Sequence, residues 1–188
     1  REGSAIQDML EPHLLVVGSE HEKTKLHVKK LYEKIYDPLP EYLETNLENA
    51  ELIKYTNNAF LATKISFINS IANICNKIPG TDVEIIANAI GKDPRIGSLF
   101  LKAGPGFGGS CFPKDLAGFL NFSTSIGYES SLLASTQDVN NKQVEIVIDM
   151  IRQKIIDTPK IVSILGLSFK KDTDDIRESV AIKIVNSL

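Results

Sequence analysis

Thiols are scarce in this chain. Its 188 residues include two cysteines, Cys75 and Cys111, and neither belongs to a C-x-x-C or other metal spacing. The three histidines, His13, His21 and His27, lie far from both in sequence. No metal site is expected, and the thiols are expected to be reduced, as in the cytoplasm. Charge of one sign is also lacking. Lys and Arg number 21 and Asp and Glu 24, for a net charge of −3 and a pI near 5.7. The basic residues are scattered, and Lys29-Lys30 and Lys170-Lys171 are only pairs. That excludes the basic field a nucleic-acid partner needs. Long apolar runs are missing too. None reaches membrane length, and no signal-peptide pattern is seen. Neither nucleic acid nor membrane is expected as a partner.

What is present is 43% hydrophobic and 24% charged residues. That suits a sizeable core, as one full domain or one domain with pieces of others. The chain opens REGSAIQD, without Met, and stops within the apolar pattern of VAIKIVNSL. It reads as an internal stretch of a longer protein.

Residues 14–18, LLVVG, form a short apolar strand ending on glycine. Residues 20–36 carry Leu26, Leu31 and Ile35 at roughly helical spacing among charges, an amphipathic helix. Pro38 and Pro40 break that pattern and suggest a domain boundary near residue 37. Thr45 and Glu48 stand in capping-box spacing ahead of the segment 50–75, which has neither Gly nor Pro. Its apolar residues cover more than one face, so burial on most sides is expected. Thr81 and Glu84 repeat the capping box before a helix over 81–91, with Gly91 placed as its stop. Pro113 suits the first turn of a helix running to about 123, and a long helix covers about 129–156. At 160–166, KIVSILG reads as a buried parallel strand, followed by a polar loop and the start of a helix. The expected fold class is mainly α: an all-helical domain over 38–157, flanked by pieces of two α/β domains, 1–37 and 158–188.

The chemistry concentrates in 104–115, GPGFGGSCFPKD. Glycine loses the most backbone freedom on folding, so a loop this rich in it is costly. Cys111 stands beside the helix N-terminus that Pro113 marks, with Lys114 close by, and both features favour a thiolate. Gly108, Gly109 and Ser110 can aim backbone N–H groups into one anion-binding concavity. Asp115 can reach the same pocket as a base or water-orienting group. The loop supports two readings: the cradle of a nucleophile, or a tight turn around a small buried thiol. Cys75, in an apolar helical run, reads as core packing. Lys54 and Asn58 share one face of the long helix. They are either a pair aimed at a developing oxyanion or a lysine snorkelling to solvent beside an amide.

GFGGSCFPKD (106–115), with AELIKYTNNAFLATKISFINSI (50–71), KDPRIG (92–97), FKKDTDDIRES (169–179) and REGSAIQD (1–8), resembles the UDP-glucose/GDP-mannose dehydrogenase family. The motifs stand in the family's order over nearly the whole chain. The resemblance implies NAD-dependent, four-electron oxidation of a nucleotide-sugar C6 alcohol to the carboxylate. UDP-glucose is the first expectation, with UDP-N-acetylmannosamine or GDP-mannose as alternatives. It also implies a Rossmann NAD domain, a central helical dimerisation domain and a Rossmann-like domain for the UDP-sugar, in a homodimer or higher oligomer. This chain would hold the tail of the first, all of the second and the opening of the third. Alone it would lack a complete NAD site and be inactive, or serve only as a dimerisation module.

The resemblance assigns roles by position. Cys111 attacks the aldehyde to form a thiohemiacetal, and Asp115 orients the water that later hydrolyses a thioester. Lys54 and Asn58 stabilise negative charge on the substrate oxygen. Glu2 acts in proton transfer through water. Arg95 reaches the sugar nucleotide of the neighbouring subunit. Lys102, Phe107 and Gly108 belong to the substrate loop, and Phe169 and Lys170 to a segment that closes over the substrate. Lys114 and Arg177 match positions near the NAD phosphates or the domain interface. One departure stands out: the family often reads Pro-Asp-Arg-Val where this chain has Pro12-His13-Leu14-Leu15, and Leu14 cannot make an arginine's contacts.

Overall fold

The computed structural model describes residues 3–155 and 161–188. The chain divides into two compact units, Arg1–Asn57 and Asn58–Leu188.

The first unit is a small α/β piece. A short helix, α1 (Ala5–Leu10), precedes β1 (Leu14–Gly18), α2 (Glu22–Ile35) and β2 (Glu41–Thr45). β2 runs parallel to β1, from Leu14 opposite Glu41 to Gly18 opposite Thr45. Parallel neighbours need a crossover, and α2 supplies it. This pairing departs from two expectations, a boundary near 37 and an all-helical stretch from 38 onward. Pro38 and Pro40 end the helix, not the unit. EYLET has no continuous apolar run to announce a strand, and it becomes one because β1 offers an edge to pair with. β1 ends on Gly18 for a steric reason: a Cβ there would lie 2.7 Å from Ala50 Cβ and 2.8 Å from Asn46 O.

The next helix, α3 (Leu47–Cys75), begins in this unit and continues into the second. Its cap is Asn46, whose Oδ1 accepts the Asn49 N–H at 2.9 Å. Thr45, the expected cap, is instead the last residue of β2.

The second unit holds most of α3 with α4 (Val83–Ile90), α5 (Phe112–Ser125), α6 (Ser131–Lys154) and α7 (Val180–Ser187). Asp82 rather than Thr81 caps α4, accepting the Glu84 N–H at 2.7 Å. The Thr81 hydroxyl instead donates to Cys75 O and Ile78 O, which closes the turn after α3. Gly91 follows α4 as expected, but with a right-handed φ of −66°. Its smallness matters for packing: a Cβ would lie 2.9 Å from Ala87 O and 3.0 Å from Ser98 Cα.

Small and polar residues of α3 face inward. Ala59 and Ala62 pack with Phe107 and Leu116, and buried Ser66 donates to Thr136 O of α6 at 2.8 Å. Phe60, Phe67 and Ile74, spaced seven apart, remain 64%, 51% and 54% exposed. Burial of this helix on most sides is therefore not observed; it keeps an apolar stripe in the open. The strand expected at 160–166 also does not form. Lys160 lies outside the described residues, and 161–167 carry no regular structure. Ile161 and Leu165 are both 96% exposed, while Ile164 packs on the core that α6 and α7 build from Ile148, Val180 and Ile184. A strand needs a neighbour for its backbone groups. Among the described residues the only paired strands are β1 and β2.

Candidate active site

Cys111 is the N-cap residue of α5, and Pro113 occupies the helix's first turn, where its missing N–H costs nothing. The Asp115 N–H donates to Cys111 O at 2.8 Å. The thiol is exposed, which removes the reading of a buried thiol in a tight turn. Its Sγ lies 3.7 Å from Ser110 Oγ. One turn on, Asp115 is 1% exposed. Its Oδ1 accepts from Lys114 Nζ and its Oδ2 from Asn58 Nδ2, each at 2.7 Å. Charge-assisted bonds of this length are among the stronger ones in proteins. The structure thus gathers Cys111, Asp115, Lys114 and Asn58. Lys114, expected near cofactor phosphates, is engaged by the carboxylate beside it, and Asn58 commits one amide hydrogen to the same group. Lys54 stands one helical turn before Asn58 on α3, with Nζ 4.9 Å from the Tyr55 ring centroid. Cys75 is half-buried at the end of α3.

The glycine loop is crossed by the chain's own residues 169–178. A Cβ on Gly108 would run into the Glu178 carbonyl oxygen. Gly109 has φ +81°, and a Cβ there would lie 2.6 Å from the Phe169 ring. Its N–H donates to Arg177 O at 3.0 Å. One donor of the expected 108–110 anion concavity is therefore used internally. The crossing segment is braced in turn. Phe169 N–H donates to Asp175 O at 2.9 Å, and the Asp175 carboxylate accepts from Arg177 N at 2.8 Å, Nε at 3.0 Å and a terminal nitrogen at 2.6 Å. The Arg177 guanidinium holds the Asp175 carboxyl below its ordinary pKa. Lys170 Nζ lies 5.6 Å from the Phe169 ring centroid. Gly108, Phe169 and Arg177 thus meet at the loop. Phe107 is a core residue, 8% exposed, its ring edge-on to Phe112 with centroids 5.9 Å apart.

The other expected site residues lie elsewhere. Arg95 is held by Asp93 in the same manner, with a terminal nitrogen 2.6 Å from Oδ2, while its side chain stays 86% exposed. That pairing pushes Arg95 up and pulls Asp93 down from their ordinary pKa values. Lys64 ties this turn to α3 by donating to Ile96 O at 3.0 Å. Lys102 lines a cavity of about 250 Å³ with Val83, Glu84, Asn88 and Ser98. Glu2 lies outside the described residues.

Sequence reasoning missed the amides that hold the loop. Asn140 bonds both backbone groups of Phe107, and Asn69 and Gln143 bond those of Gly104. Asn69, an amide within an apolar helical run, carries a readable signal. Asn140 and Gln143 sit in NNKQ, which looks like an ordinary solvated face.

Gly104, Gly106 and Gly109 match the spacing G-x-G-x-x-G, but no strand precedes them, so the strand–turn–helix setting of a dinucleotide site is absent there. Among the described residues no cluster of three or more His, Cys, Asp or Glu could hold a metal, and no helix is long and apolar enough to cross a membrane.

These features define a class, a helical domain that carries an exposed cysteine beside a buried, paired carboxylate. The model of the UDP-glucose/GDP-mannose dehydrogenase family, central domain, matches residues 48–142, and that of the family's UDP binding domain matches residues 163–188. The chain belongs to this family. It is 45% identical over its whole length to the UDP-glucose 6-dehydrogenase YwqF of Bacillus subtilis and covers 42% of that relative. It is 43% identical to the UDP-glucose 6-dehydrogenase AglM of Haloferax volcanii, again over its whole length, and covers 44% of it. Among solved structures, a UDP-glucose dehydrogenase from Pyrobaculum islandicum superposes with a TM-score of 0.93 at 34% identity, over 100% of this chain and 43% of that one. The UDP-N-acetyl-mannosamine dehydrogenase Cap5O of Staphylococcus aureus superposes with a TM-score of 0.77 at 26% identity, over 96% of this chain and 40% of that one. The chain therefore spans less than half the length of these relatives.

Proposed function

We propose that the whole protein containing this chain is an NAD-dependent nucleotide-sugar 6-dehydrogenase that converts UDP-glucose to UDP-glucuronate. The observation that carries the reading is Cys111, exposed at the α5 N-terminus one turn before a buried Asp115. UDP-glucose is preferred because relatives named for it share 43% and 45% identity, against 26% for the UDP-N-acetyl-mannosamine dehydrogenase Cap5O.

Bound NAD⁺ would supply the hydride acceptor. The residues of this chain fit it only at a phosphate. β1 ends on Gly18 and continues into Ser19 and Glu20, without a glycine-rich turn. Arg177, its side chain 62% exposed and its guanidinium held by Asp175, suits one phosphate, and Lys114 is a second cation beside the cysteine.

The chain's own residues have these parts. Cys111 Sγ adds to the C6 aldehyde carbon, and the thiohemiacetal holds the reactive carbonyl within the site. Asn58 has a second amide hydrogen to offer the C6 oxygen, since one serves Asp115. Lys54 adds charge stabilisation there by its helical spacing from Asn58. When the oxidised thioester is attacked by water, the carboxylate of Asp115 orients that water and takes its proton, and Sγ leaves. Glu2 relays a proton through water. Gly108, Phe169 and Lys170 shape the nucleotide-sugar pocket at the glycine loop, Phe107 supports that loop from the core, Lys102 meets the substrate from its own stretch of chain, and Arg95 reaches the substrate of a neighbouring subunit.

The test is NADH formation by the whole protein on UDP-glucose, UDP-N-acetylmannosamine and GDP-mannose. Two NADH per UDP-glucose are expected. Cys111→Ala is expected to keep sugar binding and lose turnover. A Cys111→Ala enzyme that makes the acid at the normal rate rules out the covalent route. A second reading, a dimerisation module, draws on the exposed Phe60, Phe67 and Ile74 stripe and concerns assembly rather than chemistry.

A further inference from the structure

We propose that Asn140 and Gln143 are positioning residues that clamp the glycine loop and thereby set the position of the Cys111 thiol. The inference rests on the reading of Cys111 as the nucleophile.

A loop normally leaves its backbone groups to water. This one does not. Asn140 Oδ1 accepts the Phe107 N–H at 2.7 Å, and Asn140 Nδ2 donates to Phe107 O at 3.0 Å. The side chain thus reads both polar groups of one residue, as a neighbouring strand would. Three residues along α6, Gln143 Nε2 donates to Gly104 O at 3.1 Å. From α3, Asn69 Oδ1 accepts the Gly104 N–H at 2.8 Å. Gln143 is itself oriented by Asn73 Nδ2, 3.0 Å from its Oε1. Asn69 and Gln143 are 0% and 5% exposed, so these amides were removed from water to meet the loop.

Two further features tie the clamp to the cysteine. Gly106 lies between the clamped residues with φ +115°, and a Cβ there would come 2.9 Å from Asn140 Oδ1. Only glycine lets the amide approach this closely. The ring of Phe107, whose backbone Asn140 holds, meets the ring of Phe112, the residue after Cys111 and the first of α5. A shift at Phe107 therefore displaces the helix start that presents Sγ. Such positioning is catalytically significant, because a displacement of about 1 Å can cost about a hundredfold in rate.

The test uses the whole protein that contains this chain, with three variants. Asn140→Ala removes the clamp from α6. Gly106→Ala disturbs it from the loop side and leaves α6 intact. Lys142→Ala, an exposed residue of the same helix paired with Asp138, is the control. Two readouts are taken on folded protein: kcat and KM on UDP-glucose, and the rate of Cys111 alkylation by iodoacetamide, followed by peptide mass spectrometry. Asn140→Ala and Gly106→Ala are each expected to lower kcat by about a hundredfold. Both are expected to change the alkylation rate at Cys111, with the KM for NAD⁺ unmoved. Asn140→Gln, which keeps the amide, is expected to recover part of kcat. Lys142→Ala is expected to match the parent.

If Asn140→Ala does not fold, Gly106→Ala decides alone. Parental kcat and alkylation rate in a folded clamp variant overturn the proposal. So does a loss of kcat with an unchanged alkylation rate. The alkylation arm needs no turnover, so it still reports on the clamp if Cys111→Ala shows that the thiol is not the nucleophile.

Discussion

Asp115 shows how one residue depends on partners distant in sequence. A carboxylate almost fully removed from water is unfavourable unless it is paired. Lys114 is its chain neighbour, but Asn58 comes from another helix, 57 residues away. Cys111 and Asp115 were legible as a pair because helical spacing and Pro113 are local. The Asn58 bond was not, since nothing near Asn58 points to residue 115. Asp175 offers a test at this scale. The Arg177 guanidinium holds its carboxyl below the ordinary value of 3.8. A lowered carboxylate pKa stabilises the fold above the unfolded value, and the contribution is lost as pH falls through the folded value. The 169–178 segment is therefore expected to stay docked from neutral pH down to the ordinary carboxylate range and to loosen only below it. Asp175→Asn is expected to loosen it already at neutral pH and to abolish that dependence. Hydrogen exchange at the Gly109 N–H, bonded to Arg177 O, reads both; equal protection in the parent and the variant would contradict the argument.

At the scale of elements, the long helices followed from periodicity, and their ends from capping chemistry displaced by one residue. Asn46 and Asp82 cap α3 and α4 where Thr45 and Thr81 were expected. Both sites place an Asn or Asp right after a Thr, and the competition between adjacent good caps is settled by what else each side chain can bond. Thr45 is taken up by β2, and Thr81 by carbonyls of the preceding turn. The glycine loop has a different lesson. Gly108 and Gly109 admit the chain's own segment at 169–178. Gly108→Ala is expected to destabilise by about 1–3 kcal/mol, as overpacking against backbone does. The reading is the urea midpoint, with Gly80→Ala as a contrast, where nothing lies within 4 Å and the cost comes only from a φ of +81°. A Gly108→Ala protein as stable as its parent would mean that the segment docks without this contact.

At the scale of the whole molecule, α3 leaves one apolar face uncovered. Phe60, Phe67 and Ile74 repeat at the heptad interval, which keeps one stripe of a helix facing a partner. Self-association through this stripe is expected. The protein should sediment as a dimer or larger at micromolar concentration, and Phe60→Ser with Phe67→Ser should shift it toward monomer. A parent protein that is monomeric under these conditions removes both this expectation and the dimerisation-module reading.

The sequence by itself determined the helical character of the chain, the start of α5 at Pro113 and the placement of Cys111 and Asp115 one turn apart. These depend on interactions within a few residues, where the spacing of side chains is set by helix geometry. Tertiary structure decided the rest. β2 exists because β1 pairs with it, and 161–167 carries no strand because no described strand pairs with it. The same holds for the site: Asn58 on Asp115, Glu178 over Gly108 and Asn140 on Phe107 are bonds and contacts between residues tens of positions apart. Backbone groups and buried charges must find partners somewhere. Which partner they find depends on what the fold brings alongside, and no local pattern records it.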